Sequence, residues 1–243
     1  MYILEDNFRL NAVLDMPAGE PEKCPLVILI HGFTGHSEER HILAAAQTMN
    51  EKGYAVLRVD MYGHGKSDGS FREHNLFNWL MNVITAVDYA RKLPFVTDLY
   101  LCGHSQGGLI VILAAGLMPE YIRGIIPMSP AVMIPAMARK GELFGIKFDP
   151  DHIPEEFMTD IGLPLSGNYV RIARMVHVED AVARYNGPVL LIHGDADEVV
   201  PYHDSEVLVK AYQNAELVTI PGDDHCYDHH LELVLEALRK WLP

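Results

Sequence analysis

Continuous apolar runs dominate the hydrophobic pattern of this chain, and each of six such runs ends in glycine, serine or aspartate. A run that is apolar at consecutive rather than alternating positions is typical of a β-strand buried on both faces of a sheet. Two shorter β-like runs, at 2–4 and 8–14, precede them. We therefore predict parallel strands at residues 25–32, 54–60, 98–105, 122–129, 188–195 and 215–223.

Helical patterns alternate with these strands. The first is predicted to begin at Ser37, a residue type that often caps helices, with acidic residues in its first turn. Such alternation favours an α/β fold in which helices cover both faces of a mostly parallel central sheet, with the functional loops beyond the carboxyl ends of the strands. The predicted helices span residues 37–51, 76–92, 106–118, 203–212 and 228–241.

The alternation breaks between residues 131 and 185, where prolines, glycines and short amphipathic pieces replace it. This segment is too short to build the core of a second domain. We predict a single domain over 1–243, with 131–185 as a small inserted lid over the functional loops.

Composition excludes several classes of function. The 33 acidic and 19 basic residues give a net charge of −14, which repels phosphate backbones and anionic lipid headgroups. No apolar run is long enough to span a bilayer, and the start, MYILEDNFRL, lacks the pattern of a secretory signal. The three cysteines cannot all pair with one another and form no CxxC pattern. We expect a cytoplasmic protein with reduced thiols that binds neither nucleic acid nor membranes.

The motif GHSQGG, residues 103–108, lies between a predicted strand and the apolar helix that follows it. A nucleophile at such a sharp turn has a strained backbone, and the residues two before and two after it must be small for the turn to close. Gly103 and Gly107 occupy those positions. Ser105 is therefore the predicted nucleophile.

A serine hydroxyl needs a base within hydrogen-bond reach, and histidine is the expected one. Of the 13 histidines, His225 lies in the loop after the last predicted strand, whereas His229 and His230 fall in the first turns of the predicted helix. A loop at a strand end faces the nucleophile, so we favour His225. The rival hypothesis for this acidic and histidine-rich loop is a metal site, which the absence of an HExxH pattern disfavours.

The base in turn needs a carboxylate to orient it, and the loop GDADEVVP offers both Asp195 and Asp197. The chain order serine, aspartate, histidine fits either one, so the spacing leaves the choice open. The developing oxyanion needs two N–H donors, for which we predict the backbone amides of Gln106 and Phe33, the latter in the glycine-containing loop HGFTG.

Five motifs together resemble the cinnamoyl and feruloyl esterases of the α/β-hydrolase superfamily: HGFTG, DMYGHGKSDG, GHSQGG, HGDADEVVP and PGDDHCYDHH. The resemblance covers nearly the whole chain and implies the α/β-hydrolase fold. It also implies that the second aspartate of HGDxDxxVP, Asp197, is the acid and that His225 is the base. Tyr169 is similar to a tyrosine that this family carries in its lid, near the phenolic end of the ligand.

The resemblance implies an aromatic substrate, an ester of ferulic, coumaric or caffeic acid. The expected reaction is acyl transfer through Ser105, with no cofactor and no metal. A broader carboxylesterase or monoacylglycerol lipase, acting on short or medium acyl chains, is the first alternative. A non-catalytic binding protein of the same fold is the second. The sequence leaves the oligomeric state open.

Overall fold

The computed structural model describes residues 1–243 and contains one eight-stranded sheet in the order β1-β2-β4-β3-β5-β6-β11-β12. The six strands from β4 to β12 in this order are mutually parallel, whereas β1 and β2 add an antiparallel edge. The predicted mostly parallel sheet is therefore confirmed. The sheet strands are β1 Tyr2–Glu5, β2 Phe8–Asp15, β3 Cys24–Ile30, β4 Ala55–Val59, β5 Val96–His104, β6 Ile122–Met128, β11 Val189–Gly194 and β12 Ala215–Ile220.

Helices cover both faces of this sheet, as the consecutive apolar residues of its strands predict. In β3, Leu26, Ile28 and Ile30 belong to the larger core, with α2 and α3, whereas Val27 and Leu29 pack with α1 and α8 on the other face. The helices are α1 Arg40–Glu51, α2 Leu76–Ala90, α3 Gln106–Leu117, α4 Ile134–Lys140, α5 Gly167–Ala173, α6 Val178–Arg184, α7 Tyr202–Ala211 and α8 Leu231–Trp241, with a 3-10 turn at Phe71–Glu73.

The predicted start of the first helix is wrong. The helix begins at Arg40, after the cap residue Glu39, and its first turn holds no acidic residue. Ser37 cannot cap it because its backbone is bound elsewhere: its amide donates to Asp60 Oδ1 at 2.7 Å, and its carbonyl accepts from Arg58 at 2.6 Å. These two bonds hold the backbone at Ser37 in a loop conformation.

The predicted start of the last helix at residue 228 is also wrong, since α8 begins at Leu231. The Asp223 carboxylate accepts from the amides of His229 and His230 at 3.0 Å each, and Asp224 Oδ1 accepts from the amide of Asp228 at 3.0 Å. These bonds hold a turn where the sequence pattern predicts helix, so both histidines precede the helix.

Residues 131–185 form α4, two small antiparallel hairpins, α5 and α6. The hairpins pair β7 Glu142–Leu143 with β8 Ile146–Lys147, and β9 Glu156–Met158 with β10 Pro164–Ser166. The last helix of the segment, α6, packs on α3 so closely that a Cβ at Gly116 would lie 2.5 Å from Ala181 Cα. No helix of the chain combines the length and apolar character that crossing a lipid bilayer requires.

Candidate active site

Ser105 lies at the corner between β5 and α3, with a strained backbone of φ 57° and ψ −120°. Its amide donates to Met128 O of the neighbouring strand at 2.8 Å, and its carbonyl accepts from the amides of Leu109 and Ala131. The corner closes because glycines flank it: a Cβ on Gly103 would lie 2.3 Å from the carbonyl oxygen of Gly107. Strain of this kind persists only where surrounding bonds impose it, and here it directs the hydroxyl out of the sheet edge.

Three side chains from three separate loops meet at this corner. His225 Nε2 lies 2.9 Å from Ser105 Oγ, and His225 Nδ1 lies 2.7 Å from Asp197 Oδ2. The carboxylate is fully buried, whereas the imidazole keeps 14% of its surface exposed. The structure therefore brings together the serine, histidine and aspartate predicted from the sequence, in hydrogen-bonding order.

Asp197 and Asp195 differ in what they bind. Asp197 accepts from the amides of Val199 and Val200 through Oδ1, at 2.8 Å each. Asp195 instead accepts from the Gly222 amide at 2.6 Å and does not reach His225. Of the two aspartates that the spacing left open, only Asp197 lies beside the imidazole.

The Asp197 carboxylate is held as an anion. Burial alone raises its pKa, but hydrogen bonds from His193 and His225 and the nearby imidazole charge outweigh that effect and hold the pKa well below its ordinary value. A buried carboxylate that stays charged can fix the tautomer of His225 and stabilise the imidazolium formed when the serine proton is transferred.

His104, the residue before the nucleophile, is a contact that the sequence reasoning missed. Its Nε2 lies 2.8 Å from the carbonyl oxygen of His225, and the two rings lie 4.7 Å apart. Burial, with the charges of His41 and His225, lowers the pKa of His104 well below its ordinary value, so the ring is neutral and its Nε2–H donates to that carbonyl. His104 thus holds the loop that carries the base.

The two predicted oxyanion donors come from the residue after Ser105 and from the loop that follows β3. The Gln106 amide is at the first position of α3, where an N–H has no acceptor within the helix. Gly32 packs so near that a Cβ there would lie 3.2 Å from Ser105 Cβ, and the following Phe33 amide has no protein acceptor. His64 Nε2 donates to Phe33 O at 2.5 Å, which holds this loop beside the nucleophile.

A cavity of about 510 Å³ opens onto Ser105 and His225. Residues 131–161 contribute most of its apolar wall, and Phe33 and Phe144 stack within that wall, with ring centroids 4.2 Å apart. Glu198, Val199 and Cys226, which are neighbours in sequence of Asp197 and His225, also line the cavity. The apolar lining comprises Phe33, Met133, Ile134, Met137, Leu143, Phe144 and Ile161, among others.

Tyr169 lies one layer behind this wall. It is fully buried in α5, its ring contacts those of Phe33 and Phe144 edge-on, and its hydroxyl donates to Gln106 Oε1 at 2.5 Å. It is not among the residues that line the cavity. In this structure Tyr169 therefore supports the wall and the residue after the nucleophile, and direct contact with a ligand stays a prediction.

The acidic side chains of the alternative metal site are bound to the protein itself. Asp223 is fully buried against the amides of its own loop, and Asp224 Oδ1 accepts from two amides, those of Cys226 and Asp228, at 3.0 Å each. No group of three or more potential ligands in the chain has a geometry that could hold a metal ion. These carboxylates shape the loop that presents His225.

The fold and the serine, histidine and aspartate at the sheet edge define a serine hydrolase of the α/β class. A family model described as serine aminopeptidase, S33, matches residues 21–154, more than half of the chain, and one described as TAP-like protein matches residues 170–242. The chain belongs to the family that the first model describes, and the predicted α/β-hydrolase fold is confirmed.

Among solved structures, the chain is similar to Est1E from Butyrivibrio proteoclasticus with ferulic acid bound. The two are 61% identical with a TM-score of 0.97, over 99% of this chain and 96% of that one. Among curated proteins, it is 27% identical over 192 residues to the mitochondrial palmitoyl-protein thioesterase ABHD10 of Homo sapiens. That match covers 75% of this chain but only 60% of the relative. It is also 26% identical to a monoacylglycerol lipase of Mycolicibacterium smegmatis, over 96% of this chain and 93% of that protein.

Proposed function

We propose that this chain is a serine esterase that hydrolyses hydroxycinnamate esters, such as those of ferulic, coumaric and caffeic acids. One observation carries the proposal: the chain of hydrogen bonds from Ser105 through His225 to Asp197 opens into an aromatic-walled cavity. The 61% identity to a protein whose structure holds ferulic acid supports the acyl group.

In the first step, Ser105 Oγ attacks the ester carbonyl carbon while its proton passes to His225 Nε2. The carbonyl oxygen becomes an oxyanion, which the amides of Phe33 and Gln106 stabilise. When this intermediate collapses, the bond to the alcohol oxygen breaks, and the alcohol leaves with the proton from His225. The product is a hydroxycinnamoyl ester of Ser105.

In the second step, water attacks the acyl-enzyme and gives its proton to His225. Collapse of the second oxyanion breaks the bond to Ser105 Oγ, which recovers the proton as the free acid leaves. Asp197 stays ionised throughout and stabilises each imidazolium. The cycle needs no cofactor, because each proton taken from a nucleophile is returned to a leaving group.

The cavity supports an aryl acyl group. The alcohol must leave beside His225, since it receives its proton there, so the acyl group extends to the other side, toward the stacked Phe33 and Phe144. Aromatic faces favour a planar aromatic ligand over a flexible chain. We propose that residues 131–161 form the part of the lid that selects the acyl group, whereas α6 lies against α3.

Replacement of Ser105 by alanine tests this proposal. Ferulic acid release from methyl ferulate, followed by chromatography, should fall by at least about 10⁴-fold. Fluorophosphonate labelling, read by intact mass, should disappear with it. Ser67→Ala is the control, since Ser67 Oγ binds only Asn11 N and Asp60 O, away from the site. Parental turnover by Ser105→Ala would end the proposal, and an unlabelled parent would favour a non-catalytic binding protein.

The lipase relative favours one alternative, a carboxylesterase for short or medium acyl chains. Values of kcat/KM for methyl ferulate and methyl butyrate separate the two. A cavity with an aromatic wall should favour the ferulate by about tenfold or more. A preference for butyrate would replace the hydroxycinnamate proposal and leave the triad in place.

We further infer a reducing compartment such as the cytoplasm, which the free cysteines Cys24, Cys102 and Cys226 support.

A further inference from the structure

A second histidine shares the carboxylate of Asp197. His193, at the end of β11, is fully buried, and its Nε2 lies 3.1 Å from Asp197 Oδ2. The same carboxylate oxygen lies 2.7 Å from His225 Nδ1, so it binds two imidazoles, one from β11 and one from the loop after β12. His193 does not line the cavity and cannot touch a substrate there.

The hydrogen bonds of His193 fix where its proton lies. Its Nε2 faces two acceptors, Asp197 Oδ2 and the carbonyl oxygen of Val200 at 3.2 Å, so Nε2 carries the hydrogen. Its Nδ1 lies 2.7 Å from the hydroxyl of Ser205, a fully buried residue of α7. The Ser205 hydroxyl can donate to the lone pair of Nδ1, which selects the tautomer that has its proton on Nε2.

We propose that His193 is a positioning residue for the reaction and that Ser205 sets its tautomer, an inference that rests on the proposed function. The Nε2–H of His193 holds the Asp197 carboxylate so that its Oδ2 faces His225. Together with His225 on the same oxygen and the amides of Val199 and Val200 on Oδ1, this bond gives each oxygen of the buried carboxylate two N–H donors. The carboxylate therefore cannot rotate without breaking a bond in a water-poor site.

Two substitutions of His193 separate positioning from packing. His193→Leu keeps the volume but removes the donor, whereas His193→Gln keeps an N–H near the place of Nε2. For His193→Leu we expect kcat on methyl ferulate to fall about 10- to 100-fold, the range for a lost hydrogen bond to a charged group. KM should stay within about twofold, because His193 lies outside the cavity.

His193→Gln should restore most of kcat. Ser205→Ala, which leaves the ring in place but frees its tautomer, should lower kcat with KM unchanged, and Ser67→Ala serves as its matched control. Thermal unfolding shows whether each variant is folded. If His193→Leu does not fold, Ser205→Ala decides in its place, on a fall in kcat at unchanged KM.

Two results would overturn the inference: parental kcat in folded His193→Leu or Ser205→Ala, or equal impairment of the glutamine and leucine variants. The second would make His193 a packing residue. Both are distinct from failure of the proposed function, in which the parent itself hydrolyses no ester. An active parent, an inactive Ser105→Ala and unaffected His193 variants would remove only this inference.

Discussion

Adding one methyl group at Gly107, the second residue after the nucleophile, should lower the activity of the enzyme more than its stability. A Cβ there would lie 2.4 Å from the carbonyl oxygen of His31 and 2.7 Å from that of Ile30. Real Cβ atoms keep at least 3.0 Å from such atoms, so Gly107→Ala forces α3 and the end of β3 apart by about 0.6 Å. Ser105 moves with α3 and Phe33 with β3, so the nucleophile and an oxyanion donor separate.

Two effects on stability oppose each other in this variant. Alanine favours a helix over glycine by about 1 kcal/mol, whereas overpacking costs about 1–3 kcal/mol. The free energy of unfolding should therefore fall by only about 0–2 kcal/mol. Activity should fall further, since a 1 Å misplacement costs about 100-fold and this displacement is somewhat smaller. We expect kcat/KM for methyl ferulate to fall about 10- to 100-fold.

Gly116→Ala is the matched control, because the same helix meets a comparable clash there. Its Cβ would lie 2.5 Å from Ala181 Cα and O, about 14 Å along α3 from Gly107. Urea unfolding should show a similar loss of stability, with kcat/KM close to the parental value. If Gly107→Ala loses no more activity than Gly116→Ala, close packing at the corner does not set the geometry of the site.

Three further predictions address the groups around the nucleophile. The folded-state pKa of Asp197 is depressed, so its ionised form stabilises the fold above about pH 4, and that contribution fades as the pH falls further. Between pH 7 and pH 3, the free energy of unfolding should therefore fall more for the parent than for Asp197→Asn. Equal losses in the two proteins would contradict this prediction. Burial, with the carboxylates of Asp228 and Glu39, raises the pKa of Cys226 to about 11. Treatment with iodoacetamide at pH 7 should therefore add no mass to Cys226 and leave the activity intact. Rapid alkylation of Cys226 would show that it is a thiolate and contradict this prediction. Phe144→Ala removes one ring of the stacked aromatic wall. Because an aromatic pair contributes about 0.5–1.5 kcal/mol, the ratio of kcat/KM for methyl ferulate to kcat/KM for methyl butyrate should fall by about 2- to 10-fold. An unchanged ratio would mean that the acyl group binds elsewhere.

The strands and the nucleophile corner could be predicted because short stretches of sequence determine them. A strand buried on both faces must be apolar at consecutive positions, and a sharp turn around Ser105 must have small flanking residues. Helix starts were less predictable. Ser37 and Asp228 have the residue types of a helix start, but Asp60 and Arg58 bind the first and Asp224 binds the second. In both places a hydrogen bond with another side chain outweighs the modest stabilisation of one cap.

The direction of the Tyr169 side chain, which lies behind the cavity wall, could not be predicted from the sequence. The resemblance predicts Tyr169 as a ligand contact, which stays a prediction; in the structure its hydroxyl donates to Gln106 and its ring lies edge-on against Phe33. Nothing in the local sequence reports that direction, because Tyr169 is equally compatible with a buried and an exposed face of so short a helix.

Asp195 and Asp197 show why the sequence could name the loop but not the residue. Both follow β11, and the chain turns between them, so Asp195 binds the loop after β12 while Asp197 turns back toward β11 itself. That return brings Asp197 to His193, four residues earlier, and the other ring nitrogen of His193 bonds Ser205 in α7. A carboxylate held by its own strand as well as by the base keeps its position when His225 changes charge. The orientation of the triad therefore depends on where β11 ends and on how the chain turns after it. Sequence spacing does not specify that turn, so spacing alone could not choose between the two aspartates.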